Sequence, residues 1–243
     1  MNSGCGDDCL VASPQMNTGD AVIGGSDIDT LSLFQSTSGH TVSLETGVSS
    51  DGTNTYTVST IEYLIGSEFT DVLMGSDVDE TIVASNDASS NNDMIHAGDG
   101  DDSIDAHYMG TLPNNLAGNE GDDTMNVLGN GPNSLFGGIS NDSIVSSTGQ
   151  DTVWEDEGND WIETSGINTV YGGPDDDTIL IQPRGASDQQ SLDGGEGNGS
   201  IIGAELAIDK SDSDTLDHNQ LTKEDSFSTW CRCAHPLVNS KSL

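Results

Sequence analysis

The residues in this chain best suited to chemistry are aspartates and glycines that recur at a fixed spacing. A-G-D-G-D-D-S-I-D occupies 97–105, G-G-I-S-N-D-S-I-V occupies 137–145, and G-G-P-D-D-D-T-I-L occupies 172–180. Within this nine-residue frame, glycine at positions one, two and four permits the left-handed backbone of a tight turn. Position six presents an acid to the neighbouring turn, and positions seven to nine read as a short strand with one inward aliphatic. Oxygen-rich loops of this kind suit a hard cation that takes about six to eight oxygen ligands. Other chemistry is missing from the text of the chain: it has no His-Glu-x-x-His, no Gly-x-Ser-x-Gly and no phosphate-binding P-loop.

The frame extends over residues 66–202 as fourteen units, most of nine residues. Their eighth positions are Leu73, Ile82, Ile95, Ile104, Leu116, Met125, Leu135, Ile144, Val153, Ile162, Val170, Ile179, Leu192 and Ile201. All fourteen are aliphatic, even where the glycines have drifted. One unit cannot bury its aliphatic alone, so the units must stack. Two successive units make one coil, and seven coils at about 4.8 Å each give a rod of roughly 30 to 35 Å. The expected fold is all-β, a parallel roll of stacked coils with a short strand-rich N-terminal cap.

Alternate units fall on alternate edges of such a roll. On the first edge, position six carries Glu80, Asp102, Asp123, Asp142, Asp160 and Asp177, and position five carries Asp79, Asp101, Asp122, Asn141, Asn159 and Asp176. On the second edge, position six carries Asp71, Asp93, Asn114, Asn133, Asp151, Asn168 and Gln190. One edge thus keeps six successive carboxylates while the other has mostly exchanged them for amides. Six acidic loops enclose five gaps, so about five cations are expected on the first edge and none to two on the second. Stacked amides on the second edge can bond along the rod without metal.

The bulk composition agrees. The chain holds 42 acidic and 5 basic residues, a formal net charge of −37, with 32% hydrophobic and 5% aromatic residues. A chain so acidic and so poor in apolar mass stays unfolded unless something neutralises it. The sign of the charge excludes nucleic acid and anionic lipid as partners. Residues 66–202 contain 27 acids and the single base Arg184. Carboxylates one rung apart repel by about 1 kcal/mol per pair even at high dielectric. Cation binding is therefore expected to count directly as folding free energy.

These copies, together with the stretch I-G-G-S-D-I-D-T-L-S at 23–32 and I-E-Y-L-I-G-S-E-F-T-D-V-L-M-G at 61–75, resemble the calcium-binding RTX (hemolysin-type) repeat domains of type I-secreted bacterial proteins. The resemblance covers roughly residues 21–202. It implies a right-handed parallel β-roll with calcium ions in a row between loops of alternate units, held by position-six carboxylates and loop carbonyls. Carried onto this chain, the metal-site residues are Asp79, Glu80, Asp99, Asp101, Asp102, Asp122, Asp123, Gly137, Asn141, Asp142, Glu155, Asn159, Asp160, Gly172, Asp175 and Asp177, with Asp151 on the second edge. It also implies a secreted, extracellular location and an uncleaved C-terminal segment read by a type I exporter. The final V-N-S-K-S-L at 238–243 matches no export signal.

The remaining segments divide into a flexible N-terminus (1–20), a strand-rich cap (21–65) and a polar tail (203–243). Residues 1–10 carry neither a basic residue nor an apolar run, so no secretory signal peptide is expected there, and no apolar stretch approaches the roughly 18 residues of a membrane span. The cysteine pairs Cys5/Cys9 and Cys231/Cys233 lie outside the repeats and are read as incidental. The roll has one basic residue with which to neutralise a uronate, which argues against polysaccharide lyase chemistry, and no enzyme is expected. A surface adhesin that binds cells or polysaccharide is the alternative to a calcium-folded secreted module.

Overall fold

The computed structural model describes residues 1–12, 16–84, 92–106, 111–146, 148–182, 190–203, 207–208 and 215–217. All regular structure in them is β-strand, arranged as two long sheets that face each other across a row of aliphatic side chains. The stack is a parallel β-roll of about nine turns.

In the repeats, strands Val72–Met74, Met94–Asp99, Asn115–Glu120, Ser134–Ile139, Thr152–Glu157, Thr169–Tyr171 and Ser191–Asp193 lie side by side in one sheet. Thr81–Val83, Ser103–Asp105, Thr124–Val127, Ser143–Ser146, Trp161–Thr164, Thr178–Ile181 and Ser200–Ile202 form the other. Every neighbouring pair among these is parallel and in register at position eight, as in Ile95↔Leu116, Leu135↔Val153 and Ile144↔Ile162. The fourteen position-eight residues are all at or below 1% exposure. Burying an aliphatic of this size is worth about 1.5–3 kcal/mol, so these residues, drawn from the two facing sheets, supply most of the core of the repeats. These are the seven coils that the spacing predicts.

The two edges differ in length discipline. From position nine of one sheet to position seven of the other, the first-edge connection always spans six residues: 75–80, 97–102, 118–123, 137–142, 155–160, 172–177 and 194–199. Second-edge connections vary, with seven residues between Asn126 and Ser134 but five between Glu163 and Thr169. Whatever the first edge builds requires one repeating geometry, and the second edge does not.

The N-terminal region departs from the expected division. Within the N-terminus read as flexible (1–20), Asn2–Cys5 and Cys9–Val11 pair in parallel with Ala21–Ser26 and Thr30–Ser32. The physical reason lies in residues 3–11, S-G-C-G-D-D-C-L-V, which obey the nonapeptide frame: Gly4 and Gly6 take positive φ (102° and 94°), Asp8 stands at position six and Leu10 is buried at position eight. The cap is strand-rich, as expected, but part of it is antiparallel. Thr41–Ser43, Val48–Ser50 and Thr55–Ser59 form a meander inserted between Ala21–Ser26 and Val72–Met74. At the far end, Ala207–Ile208 and Thr215–Asp217 continue the two sheets past residue 203; the rest of the tail, with Cys231/Cys233, lies outside the described residues. Cys5 and Cys9 are exposed free thiols.

Candidate metal row along the first edge

Six of the seven first-edge loops in the repeats turn by the same device. Positions two and four both take positive φ in the loops 97–102 (Gly98, Gly100), 118–123 (Asn119, Gly121), 137–142 (Gly138, Ser140), 155–160 (Asp156, Gly158), 172–177 (Gly173, Asp175) and 194–199 (Gly195, Gly197). The same pairs occur at Gly4/Gly6 and Gly25/Asp27, while the loop 75–80 lacks them. Four repeat positions that lost glycine nevertheless keep the left-handed backbone, at a cost of roughly 1–2 kcal/mol each. Such strain persists only where the surroundings demand it.

This turn buries position six. Glu80, Asp102, Asp123, Asp142, Asp160 and Asp177 are 1–3% exposed. One oxygen of each carboxylate after Glu80 accepts the amide of its counterpart one coil earlier: Glu80 N–H to Asp102 Oδ1 at 2.7 Å, Asp102 to Asp123, Asp123 to Asp142 and Asp142 to Asp160 at 2.8 Å, and Asp160 to Asp177 at 3.0 Å. The row begins earlier than the repeats, since Asp8 N–H donates to Asp29 Oδ1 (3.1 Å) and Asp29 N–H to Glu62 Oε2 (2.9 Å).

The second carboxylate oxygens are the unusual feature. Oδ2 of Asp29, Asp102, Asp123, Asp142 and Asp160 is buried without a hydrogen-bond partner, and so are both oxygens of Glu155. Buried polar atoms are almost always paired, and an unpaired buried charge is costly. None of the described residues is Lys or Arg, so no basic side chain among them compensates. Burial accordingly pushes the carboxyls up, with neighbouring carboxylates adding to the effect: Asp142 to about 8, Asp102 to about 7, Asp123 and Asp160 to about 6, and Glu155 well above its ordinary range. A row of hard, anionic oxygens facing inward between identical turns has the donor chemistry of a calcium site.

The sites expected from the sequence separate into groups. Glu80, Asp102, Asp123, Asp142, Asp160 and Asp177 line the interior of the edge, with Gly137 and Gly172 beneath them. A Cβ at Gly137 would meet Asp142 Oδ2 at 2.6 Å, and one at Gly172 would meet Asp177 Oδ2 at 2.6 Å. Asp79, Asp101, Asp122, Asn141 and Asn159 are exposed and project outside the turn. There they form a second ladder in which each side-chain oxygen accepts the amide of the next coil at 2.9–3.1 Å. Asp99 and Asp175 are also exposed, and only their backbone belongs to the turn.

Asp151 sits at 1% exposure on the second edge, where its Oδ1 accepts both the amide and Nδ2 of Asn133 (2.9 Å each). That edge is an amide ladder as well: Asn114 Nδ2 donates to Asn133 Oδ1 (2.9 Å), and Asn168 Nδ2 donates to the Ser165 carbonyl and Thr164 Oγ1 (2.8 Å each). Burial raises Asp93 to about 7 and Asp151 to about 6. Sequence reasoning missed the N-terminal loops 3–8 and 24–29 as members of the first-edge row. The G-x-G-D-D run at 4–8 was their signal.

The fold and the row together define a parallel β-roll lined along one edge by buried carboxylates. The family model for the RTX calcium-binding nonapeptide repeat (4 copies) matches residues 87–107, 127–162 and 164–180, and the chain carries RTX repeats there, which imply calcium binding. No curated protein matches the chain.

Proposed function

We propose that the chain is a calcium-folded module whose first edge binds a row of about five ions between successive loops, with one more between 3–8 and 24–29. The observation that carries this reading is the row of buried, partnerless Oδ2 atoms of Asp102, Asp123, Asp142 and Asp160 inside turns of constant length. In each gap, the carboxylates of two adjacent coils and the carbonyls of their turns are the available donors, and a divalent ion neutralises charges that otherwise repel. Binding and folding are then one equilibrium. Such a chain stays open where calcium is scarce and closes where it reaches the millimolar range of extracellular modules. RTX repeats occur in secreted bacterial proteins, and a secreted, non-enzymatic module is the role this coupling fits.

The test is far-UV circular dichroism during calcium titration of chelator-treated protein, with magnesium as control. A coil-like spectrum that turns to β with calcium and not with magnesium is the expected result. A β spectrum already complete in excess chelator and unmoved by calcium overturns the reading.

A surface module that binds polysaccharide is the second reading, and one observation favours it. On the outer face of one sheet, Phe136 and Trp154 stack at 4.7 Å, and Trp154 and Tyr171 at 6.0 Å. Tyr171 is 42% exposed and borders a cleft of about 450 Å³ lined also by Pro174, Asp193 and Glu196. Aromatic surface beside carboxylate acceptors suits a neutral sugar.

A further inference from the structure

Position one of the first-edge loops carries no side chain beyond a methyl at Ala97, Gly118, Gly137, Gly172 and Gly194, but it carries Glu155 in the loop 155–160. Register places Glu155 directly over Gly137, since Phe136 pairs with Trp154 and Gly138 with Asp156. The Glu155 side chain does not escape to solvent. It is 0% exposed, and neither carboxylate oxygen has a hydrogen-bond partner. It reaches back over Gly137, where a Cβ would collide with its Oε2. Asp142, Glu155 and Asp160 each place a carboxylate oxygen within 4.8 Å of the others, and all three residues are buried. Among the described residues this is the one such cluster of three.

We propose that Glu155 makes the gap between loops 137–142 and 155–160 a distinct three-carboxylate site, filled first as calcium rises and preferred by trivalent lanthanide ions. The inference rests on the calcium reading above. The affinity of oxygen-ligand sites is set by the count of charged ligands and the rigidity that holds them. Here one extra carboxylate is held in place by packing against Gly137. The neighbouring gaps have two position-six carboxylates, and the one that shares loop 155–160 has Glu155 turned away over Gly137, so their ions are bound with less charge. The first ion at this gap joins two coils in mid-roll, from which stacking extends in both directions.

The experiment uses the full chain and two variants, Glu155→Gln and Glu155→Gly, the latter restoring the residue that most of the other loops have. Terbium(III) luminescence excited through tryptophan reads this gap, because Trp154 and Trp161 adjoin Glu155 and Asp160 in the chain. Calcium titration by calorimetry reads all the gaps. In the unaltered chain, the first equivalent of terbium gives the largest sensitised emission. Both variants weaken this first step by roughly tenfold or more, while calcium still folds them to the same final β signal. Glu163→Gln, on the outer face of a strand, removes the same charge and leaves the first step in place. A first step of unchanged affinity in both Glu155 variants, with calcium folding intact, overturns this inference and leaves the calcium reading standing. Absence of calcium binding in the unaltered chain overturns both.

Discussion

Asp122 and Asp123 are adjacent in the chain but grip opposite neighbours. Asp122 Oδ1 accepts the amide of Asn141 in the following coil at 2.9 Å, while Asp123 Oδ1 accepts the amide of Asp102 in the preceding coil at 2.8 Å. The same opposition recurs along the edge, so an outer and an inner ladder run antiparallel to each other through one set of turns. In the folded roll each loop is thereby bonded to both neighbours, and the inner carboxylates keep their second oxygen for metal.

Asp142 and Asn133 occupy position six on opposite edges, and replacing them separates metal binding from ordinary hydrogen bonding. Asp142→Asn should raise the calcium concentration at the folding midpoint and lower the number of ions bound. Asn133→Ala breaks the bonds from Nδ2 to the Gly131 carbonyl (3.1 Å) and to Asp151 Oδ1, at about 1–3 kcal/mol. It should lower the urea midpoint in saturating calcium with ion stoichiometry unchanged. Equal effects of the two on stoichiometry, measured by calorimetry, would contradict the assignment of edges.

Acid should stabilise the metal-free roll. Burial raises the carboxyls of Asp123, Asp151 and Asp160 to about 6, Asp93 and Asp102 to about 7 and Asp142 to about 8, from ordinary values near 3.8. A group raised in the folded state contributes stability that is full below its unfolded value and is lost as pH rises through its folded one. In chelator, the β signal should therefore be greatest below about pH 4 and fall progressively up to about pH 8. With calcium the order reverses, because the ion competes with the same protons, and apparent affinity should drop on acidification through that window. A metal-free β signal that grows from pH 5 to pH 8 would exclude this account.

Backbone strain at position four gives a prediction independent of charge. Ser140 holds φ at 95° in a slot that is Gly100, Gly121 or Gly158 in other loops. Ser140→Gly should stabilise the calcium-loaded protein by about 1 kcal/mol, seen as a higher thermal midpoint. Gly138→Ala should do the opposite and by more, since φ is 127° and a Cβ would strike the Asn119 carbonyl oxygen.

The parallel roll and its core were legible because one buried aliphatic per nine residues leaves a signal that survives loss of every other position. Leu116 could be placed although its unit, M-G-T-L-P-N-N-L-A at 109–117, keeps only one of the three glycines. The edge assignment was legible for the same reason, since alternation is a counting rule. Which oxygens turn inward was not. Position five and position six are both acidic in Asp101–Asp102 and Asp122–Asp123, and only the backbone of the folded turn shows which one goes outside and which is buried. The N-terminal copy at 3–11 was hidden because its cysteines occupy outward positions that carry no pattern. The antiparallel meander over 41–59 was invisible for a different reason: its alternation reads like any pair of short strands, and direction is set by which neighbour each one meets.

The unequal discipline of the two edges divides the molecule into a metronome and a margin. A residue added to a six-residue turn on the ion side would break the inner and outer ladders at the gaps which that turn borders. A residue added opposite, between Asn126 and Ser134 or between Glu163 and Thr169, merely lengthens a bight that already differs from coil to coil. Length can thus accumulate on one side without a phase error on the other, and foreign peptide spliced into that side would ride on the rod as passive cargo.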